Sequence, residues 1–101
     1  MTLFQKEVYD TLKKIPKGKV STYKDIAKII QNPKAVRAVG TVLAKNPHLI
    51  SIPCHRVVKS TGEIGMYASG TAKKIQLLKK EGVKIINNKV DLKKYKHNFN
   101  V

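Results

Sequence analysis

The fold is decided by residues 20–47, VSTYKDIAKIIQNPKAVRAVGTVLAKNP. Thr22 followed by Asp25 is typical of a capping pair, and the apolar spacing behind it predicts a helix from Tyr23 to Ile30. A turn follows, and small apolar residues predict a second helix from about Lys34 to Ala44. Two short helices joined by a tight turn indicate a helix-turn-helix whose second helix meets DNA.

Shorter elements flank this pair of helices. Apolar spacing predicts a first helix over residues 3–14, and β-branched residues predict a short strand over 19–22. Pro33 is expected at the first position of the third helix. Residues 49–58 are expected to be extended, with an interruption at Pro53, and a fourth helix is expected from Thr71 to Lys80. The predicted fold class is mostly α with a small β element, a winged-helix-like helix-turn-helix domain of four helices and short strands.

The chain is short enough for one domain, since it has 101 residues. We expect that domain to occupy residues 1–82. Gly82 is expected to cap the fourth helix. Residues 83–101 are expected to be a basic extension packed on the domain or trailing it, with one possible strand from Val83 to Ile86.

The charge of the chain is strongly positive. Twenty-one basic residues against six acidic ones give a formal net charge of +15, so a polyanion is the expected partner. An anionic membrane surface is the alternative, although no long basic amphipathic helix supports it. Only two of the basic residues, Arg37 and Arg56, are arginines, which offer a planar fork of donors and are therefore expected to have specific tasks.

Several features indicate a soluble intracellular protein. No apolar stretch is long enough to span a bilayer, and the N-terminus lacks the charged-then-apolar order of a secretory signal. A single cysteine, Cys54, cannot form an internal disulfide, which fits a reducing compartment. We expect the cytoplasm, the nucleoid or the nucleus.

Chemistry is indicated where Cys54 stands next to His55 and Arg56. A thiol reacts as its thiolate, a histidine can take its proton, and a carboxylate behind the histidine, for which Glu81 is the candidate, would hold the tautomer. A buried cysteine beside an incidental histidine remains the plain alternative. His48, His55, His97 and Cys54 lack the paired spacing of zinc ligands, so no metal and no cofactor are expected.

Further motifs complete a pattern that resembles the active-site domain of O6-alkylguanine-DNA alkyltransferases. They are Val20-Ser21-Thr22-Tyr23, Asn32 through Gly40, Asn46-Pro47, Ile52-Pro53-Cys54-His55-Arg56-Val57-Val58, Gly65 through Gly70, and Leu77 through Gly82. Their order and spacing match over about Phe4 to Gly82. The resemblance implies a monomeric DNA repair protein that removes an alkyl group from O6 of guanine in double-stranded DNA.

The resemblance implies a role for each catalytic residue. Cys54 would accept the alkyl group once, as a thiolate at the bottom of a pocket sized for an everted purine. His55 would be the water-linked base, and Glu81 would polarise it. Tyr23 would help rotate the 3′ phosphate and donate a proton toward the leaving guanine, and Asn46 would brace the turn before the active-site strand.

The resemblance also implies how DNA is held. Arg37 would enter from the minor groove and replace the extruded guanine, because a thiol cannot reach O6 of a stacked base. Backbone carbonyls of Cys54 and Val57 would recognise the exocyclic amine, while Arg56 would tie loops together. The expected DNA-binding residues are Thr22, Tyr23, Ala35, Arg37, Ala38 and Gly40, and the expected pocket residues are Val57, Met66, Tyr67 and Ala68.

Two departures from the family pattern bear on these expectations. Some relatives carry a serine that can bond O6 where this chain has Ala68, so the preferred alkyl group stays open. Full-length relatives often have an N-terminal domain before this one, and Met1 favours a natural minimal protein over a fragment.

Three rival functions remain open from the sequence. A non-catalytic sensor of alkylated guanine would have its cysteine replaced, and a helix-turn-helix transcription factor would not need the Pro-Cys-His-Arg-Val run. A cysteine hydrolase would turn over, whereas a thioether on Cys54 has no path back to a free thiol.

Overall fold

Short helices alternate with two-residue strands in the computed structural model, which describes residues 2–47 and 51–99. The mostly helical class is confirmed, and the described residues include a short fifth helix beyond the four expected. The helices are α1 (Leu3–Leu12), α2 (Tyr23–Ile29), α3 (Val36–Ala44), α4 (Thr71–Lys80) and α5 (Leu92–Tyr95), with a 3-10 turn at Cys54–Arg56. The strands are β1 (Ser21–Thr22) parallel to β2 (Val57–Val58), and β3 (Ile85–Ile86) antiparallel to β4 (Lys89–Val90).

The first helix, α1, begins at a capping box. The Thr2 hydroxyl accepts from the Gln5 amide at 3.1 Å, and the Gln5 side chain accepts from the Thr2 amide at 2.9 Å. Val8 and Leu12 of this helix are fully buried, whereas Leu3 at its start is 73% exposed. No described helix is both long and apolar enough to cross a membrane.

The turn between α2 and α3 differs from the prediction at one end. Gln31 adopts a positive φ of 62°, and the Asn32 amide donates to the Ala27 carbonyl at 2.9 Å, which ends α2 with a Schellman motif. Asn32 then accepts from the Ala35 amide at 2.9 Å. This extra turn occupies Pro33 and Lys34, so α3 begins at Val36. The prediction that Pro33 is the first residue of this helix is therefore wrong.

The cysteine segment is not the extended run that was predicted. Within its described part, residues 51–58, the Arg56 amide donates to the Pro53 carbonyl at 3.0 Å and closes the 3-10 turn. Residues 49 and 50 of the predicted run lie outside the described residues. Cys54 and His55, the first two residues of this turn, are both buried.

The C-terminal segment folds as a hairpin and a helix, where only one strand, from Val83 to Ile86, was expected. Asn87 and Asn88 both have positive φ, of 53° and 62°, as a two-residue type I′ turn requires, and they join β3 to β4. The Val90 amide donates to the Gly62 carbonyl at 2.8 Å, and a β-carbon at Gly62 would lie 2.6 Å from the Val90 carbonyl oxygen. Only glycine allows this close approach.

The buried core consists of two apolar clusters. One lies among α1, α2 and α3 and includes Cys54. The other joins residues from both sides of Gly82, with Leu78 and Val58 packed against Val83 and Val90. The C-terminal segment therefore shares a core with the remainder of the chain.

Candidate active site and nucleic-acid interface

Cys54 lies at the inner wall of a cavity of about 620 Å³. Its side chain is held by Asn46, whose amide nitrogen lies 3.4 Å from Sγ and also donates to the Ile52 carbonyl at 3.1 Å. Asn46 is itself buried and follows the end of α3, so it links that helix to the cysteine turn. The bracing contact expected of Asn46 is present in the structure.

The resting state of Cys54 is a thiol and not the thiolate that was expected. Burial raises the pKa of the thiol, and this effect exceeds the opposing hydrogen bond from Asn46 and the positive charge of Lys74. An ionised sulfur therefore requires a base to take its proton.

His55, the residue after Cys54, belongs to a buried network with Glu81 and Arg56. His55 Nε2 lies 3.0 Å from Glu81 Oε2, and Arg56 donates to both oxygens of the same carboxylate, from Nε at 2.9 Å and from Nη2 at 2.8 Å. Arg56 also donates from Nη1 to the Ile15 carbonyl at 2.8 Å. Arg56 thus ties the cysteine turn to α4 and to the end of the first helical segment, as expected of a structural arginine.

The network determines which nitrogen of His55 carries a proton. Burial acts to raise the pKa of Glu81, but the hydrogen bonds from Arg56 and His55 outweigh it, and the net pKa is lowered. Burial lowers the pKa of His55, with partial opposition from Glu81, so the ring is neutral at pH 7. A carboxylate only accepts, so the single proton is on Nε2 and leaves Nδ1 as a bare acceptor. Nδ1 has no hydrogen-bond partner among the described side chains and backbone.

Lys74 is a buried cation that the sequence did not single out. Its side chain is 0% exposed, and Nζ donates to the Met66 carbonyl at 3.1 Å. Nζ also lies 5.8 Å from the centre of the Tyr23 ring. Burial lowers the pKa of Lys74 to about 8. The ammonium lies near enough to Cys54 to favour ionisation of the thiol.

The cavity above Cys54 has walls from four parts of the chain. Tyr67 and His55 meet edge to face with their ring centres 6.3 Å apart. Val57 is buried in the core and does not line the cavity with its side chain, so any contact it makes with a base would use its backbone. Lys59 lines the cavity although it was not expected to. The remaining lining residues are Tyr23 of α2, Val36, Arg37, Gly40, Thr41, Leu43 and Ala44 of α3, and Met66, Tyr67 and Ala68.

The outer surface of α3 carries the residues expected to meet DNA. Arg37 is exposed on the first turn of α3 and lines the cavity, so its guanidinium stands at the entrance. Ala38 is exposed, and a β-carbon at Gly40 would meet nothing within 4 Å, so this face is open. Thr22 differs, because it is buried and its hydroxyl accepts from the Asp25 amide at 3.0 Å as the cap of α2. The capping prediction is confirmed, but the Thr22 side chain offers little surface to DNA.

The fold and site define a helix-turn-helix domain with a buried cysteine next to a buried histidine. The chain belongs to the family described as 6-O-methylguanine DNA methyltransferase, DNA binding domain, whose model matches residues 3–83. It is 53% identical over 81 residues to the methylated-DNA–protein-cysteine methyltransferase of Methanosarcina acetivorans. That match covers 80% of this chain and 52% of the relative, so the chain spans about half the length of this relative.

Solved structures of two proteins are similar to this fold. Atl1 of S. pombe, in complex with damaged DNA containing O6-carboxymethylguanine, superposes with a TM-score of 0.85 at 33% identity, covering 97% of this chain and 99% of that one. OGT of Mycobacterium tuberculosis, in complex with DNA, superposes with a TM-score of 0.78 at 41% identity, covering 80% of this chain and 50% of that one. The expected family resemblance is confirmed.

The burial of Lys74 leads to a prediction about stability. Lys74→Met is expected to raise the free energy of unfolding at pH 7 by about 3 kcal/mol, because a pKa of about 8 in place of 10.5 measures the cost of burying the ammonium. Between pH 8 and 10.5 the unfolded chain keeps a proton that the folded protein has released, so the stability of the unmodified protein rises with pH. Urea denaturation should show that the difference in free energy of unfolding between Lys74→Met and the unmodified protein is smaller at pH 10 than at pH 7.

The matched control is Lys73→Met, which removes an exposed lysine from the same helix. It is expected to leave the free energy of unfolding nearly unchanged at both pH values. A destabilised Lys74→Met protein, or a gap that does not change with pH, would contradict the assignment of Lys74 as a buried charge.

Proposed function

We propose that this protein repairs DNA by transferring an alkyl group, such as methyl, from O6 of guanine to Cys54 in a single turnover. The observation that carries the proposal is the combination of one sulfur at the wall of a base-sized cavity, a neutral histidine beside it, and an exposed arginine at the entrance. The names of the relatives support the same chemistry.

The transfer begins with ionisation of the thiol. Nδ1 of His55 takes the proton of Cys54 through a bridging water, and Glu81 stabilises the imidazolium that forms. The hydrogen bond from Asn46 and the nearby ammonium of Lys74 stabilise the sulfur anion. The thiol is therefore ionised only when the site is assembled around it.

The transfer itself exchanges one bond for another. The thiolate sulfur attacks the alkyl carbon, an S–C bond forms, and the C–O6 bond breaks with its electron pair left on the guanine. The guanine anion then takes one proton, so the products are S-alkylcysteine and guanine. Burial and the Cys54 charge raise the pKa of Tyr23, which keeps its hydroxyl protonated as the donor to the leaving base. Regeneration of Cys54 would require its thiolate to leave from a thioether, and a thiolate is a very poor leaving group there. The protein is therefore consumed by one reaction.

Extrusion of the base is assigned to α3. Arg37 enters the minor groove and occupies the space of the everted guanine, while Ala35, Ala38 and Gly40 allow the helix to approach the sugar-phosphate backbone. The minor groove carries little sequence information, which suits repair in any sequence context. The base then lies against the loop that carries Met66, Tyr67 and Ala68, in the cavity described above.

The proposal also includes the setting in which the protein acts. Its partner is double-stranded DNA that contains O6-alkylguanine, and each lesion is repaired by one monomer. Action on DNA places the protein inside the cell, in the cytoplasm, nucleoid or nucleus. Residues 1–82 carry the DNA-binding and active-site functions, and residues 83–101 form an extension.

The test is the mass of the protein after reaction. Incubation with duplex DNA that contains O6-methylguanine is expected to add one methyl group to each molecule, on the peptide that carries Cys54, and to leave an equal amount of unmodified guanine in the DNA. Tight binding to the damaged duplex with no methylated peptide would instead favour a non-catalytic lesion sensor, and catalytic turnover would exclude the transfer mechanism.

The role of Arg37 predicts a difference between two substrates. Arg37→Ala is expected to slow methyl transfer from duplex DNA by about 100-fold, because the extruded base loses the group that replaces it in the stack. Reaction with a free O6-alkylated guanine is expected to change less than about threefold, since no base needs extrusion. Single-turnover kinetics with the two substrates measure both values, and equal losses would contradict the role.

A further inference from the structure

A second groove lies on the side of α2 that faces the C-terminal segment. It has a volume of about 680 Å³, and we call it the tail groove. One wall is formed by residues 25–31, at the end of α2, and the other by residues 92–99. Three lysines line the groove, Lys28, Lys93 and Lys96. Among the described residues, Asp25 supplies the carboxylate that lines it, and that carboxylate is paired with Lys96 at 2.7 Å. The lysines at Lys28 and Lys93 are thus an excess of positive charge at this surface.

The segment that forms one wall of the tail groove is held in place. The Val20 amide donates to the Tyr95 carbonyl at 2.9 Å, and the His97 amide donates to the Val20 carbonyl at 2.7 Å. Phe99 packs against the first apolar cluster and meets His97 edge to face at 4.7 Å. Because the backbone of this stretch is hydrogen-bonded at Tyr95 and His97, the points from which its exposed lysines extend are set by the fold.

The tail groove opens next to the helix-turn-helix turn. Gln31 lines the groove and is also the left-handed residue that ends α2, from which the chain passes through one turn into α3. Arg37 lies on the first turn of α3. The tail groove therefore borders the turn that leads into α3, the helix on which the proposed function places the duplex.

We propose that the tail groove is a second DNA-binding surface, which holds the phosphodiester backbone of the strand beside the site of base extrusion. The proposal rests on the proposed function, because that function places duplex DNA on α3. Its chemistry is that of lysine ammonium groups on phosphate oxygens, without contact to base edges, and it is independent of sequence. The family model matches residues 3–83. The wall of the groove that residues 92–99 form therefore lies entirely outside the matched part of the chain.

The surface increases affinity where the active site cannot. A protein that reacts once must find rare lesions among undamaged DNA, so contacts that do not depend on the base keep it on the duplex during the search. Each phosphate that a lysine neutralises releases condensed counterions, so the contribution of the groove has a measurable dependence on salt.

The test compares two double variants with the same change in net charge. Lys28→Gln with Lys93→Gln removes the unpaired lysines of the groove, and Lys13→Gln with Lys14→Gln removes two exposed lysines that follow α1. Binding to an unmodified duplex is measured at several salt concentrations. The groove variant is expected to bind about tenfold more weakly and to lower the slope of log K against log salt by about 2, whereas the control changes the slope by less than about 0.5. Equal changes in the two variants would overturn the proposal.

Two further measurements keep the outcome clear. Thermal unfolding of both variants shows whether each is folded. If the double groove variant is unfolded, Lys93→Gln alone replaces it and is expected to lower the slope of log K against log salt by about 1. Methylation of Cys54 by a free O6-alkylated guanine is expected to be unchanged in the groove variant. If the unmodified protein forms no methyl adduct but the salt slopes of the two variants differ as expected, the repair function is wrong and the second DNA-binding surface is supported. If the methyl adduct forms but the salt slopes do not differ, only the second surface is rejected.

Discussion

Replacement of Cys54 by serine is expected to abolish methyl transfer while leaving the fold and the binding of damaged duplex intact. Serine has nearly the same shape, so the Asn46 contact and the cavity wall are kept. Its hydroxyl does not ionise near neutral pH, and a neutral imidazole at His55 gives an alkoxide far less readily than a thiolate. Rates should fall below detection, a loss of more than about 10³-fold.

Mass spectrometry and binding assays on the same samples measure the two halves of this prediction. No methyl group should be found on Cys54→Ser after a long incubation, and its dissociation constant for a duplex with O6-methylguanine should stay within about twofold of the unmodified protein. A methylated Cys54→Ser protein would show that another atom accepts the alkyl group. Loss of binding would show that the sulfur holds the base and does not only react with it.

Glu81→Gln is expected to be the most damaging single change outside the cysteine. The Glu81 side chain is 10% exposed and accepts three hydrogen bonds, two from Arg56 and one from His55. Removal of its charge leaves the Arg56 guanidinium partly buried without its partner, at a cost of about 3 kcal/mol in the free energy of unfolding. A glutamine amide can also donate to His55 Nε2, which would move the ring proton to Nδ1 and block the base, so methyl transfer should slow by about 100-fold or more.

The stability effect of Glu81→Gln is expected to depend on pH. The pKa of Glu81 is lowered in the folded protein, so its contribution is complete above its ordinary pKa of 4.5 and is lost as the pH falls below that value. Urea denaturation should show that the difference in free energy of unfolding between Glu81→Gln and the unmodified protein is smaller at pH 4 than at pH 7. Asp10→Asn is the matched control, since Asp10 pairs with Lys6 at 2.9 Å on an exposed helix surface, and it should show no measurable change in stability. A similar loss in both variants would mean that the network around Glu81 has no special weight.

The main elements of this fold could be predicted from local sequence because their signals are local. The Thr22 and Asp25 pair begins α2 as predicted, and the bounds of α4 agree with its apolar spacing. The cysteine turn could not be predicted with the same rules, and the C-terminal hairpin was missed although local rules could have found it. The turn at Cys54 is stabilised by Arg56 reaching Ile15 and Glu81, which are distant in sequence. For the hairpin a signal existed in Asn87 and Asn88, the residues that best tolerate positive φ.

The candidate site shows the same division. The sequence proposes Cys54, His55, Arg37 and Glu81 as site residues because each residue type has a distinct chemistry or matches a family motif. Lys74 could not be proposed in this way, because one lysine among many has the same sequence signature whether it is buried or exposed. Its location beneath Tyr23 follows from how α4 packs against the loop that carries Met66.

The sequence by itself indicated the family of this protein, since charge, a single cysteine beside a histidine and the helix-turn-helix pattern are properties of residue types and spacing. Only the tertiary structure decided the protonation of the site. The thiol is neutral, His55 presents a bare Nδ1, and Lys74 is a buried cation, because pKa values depend on burial and on charges brought together from distant parts of the chain.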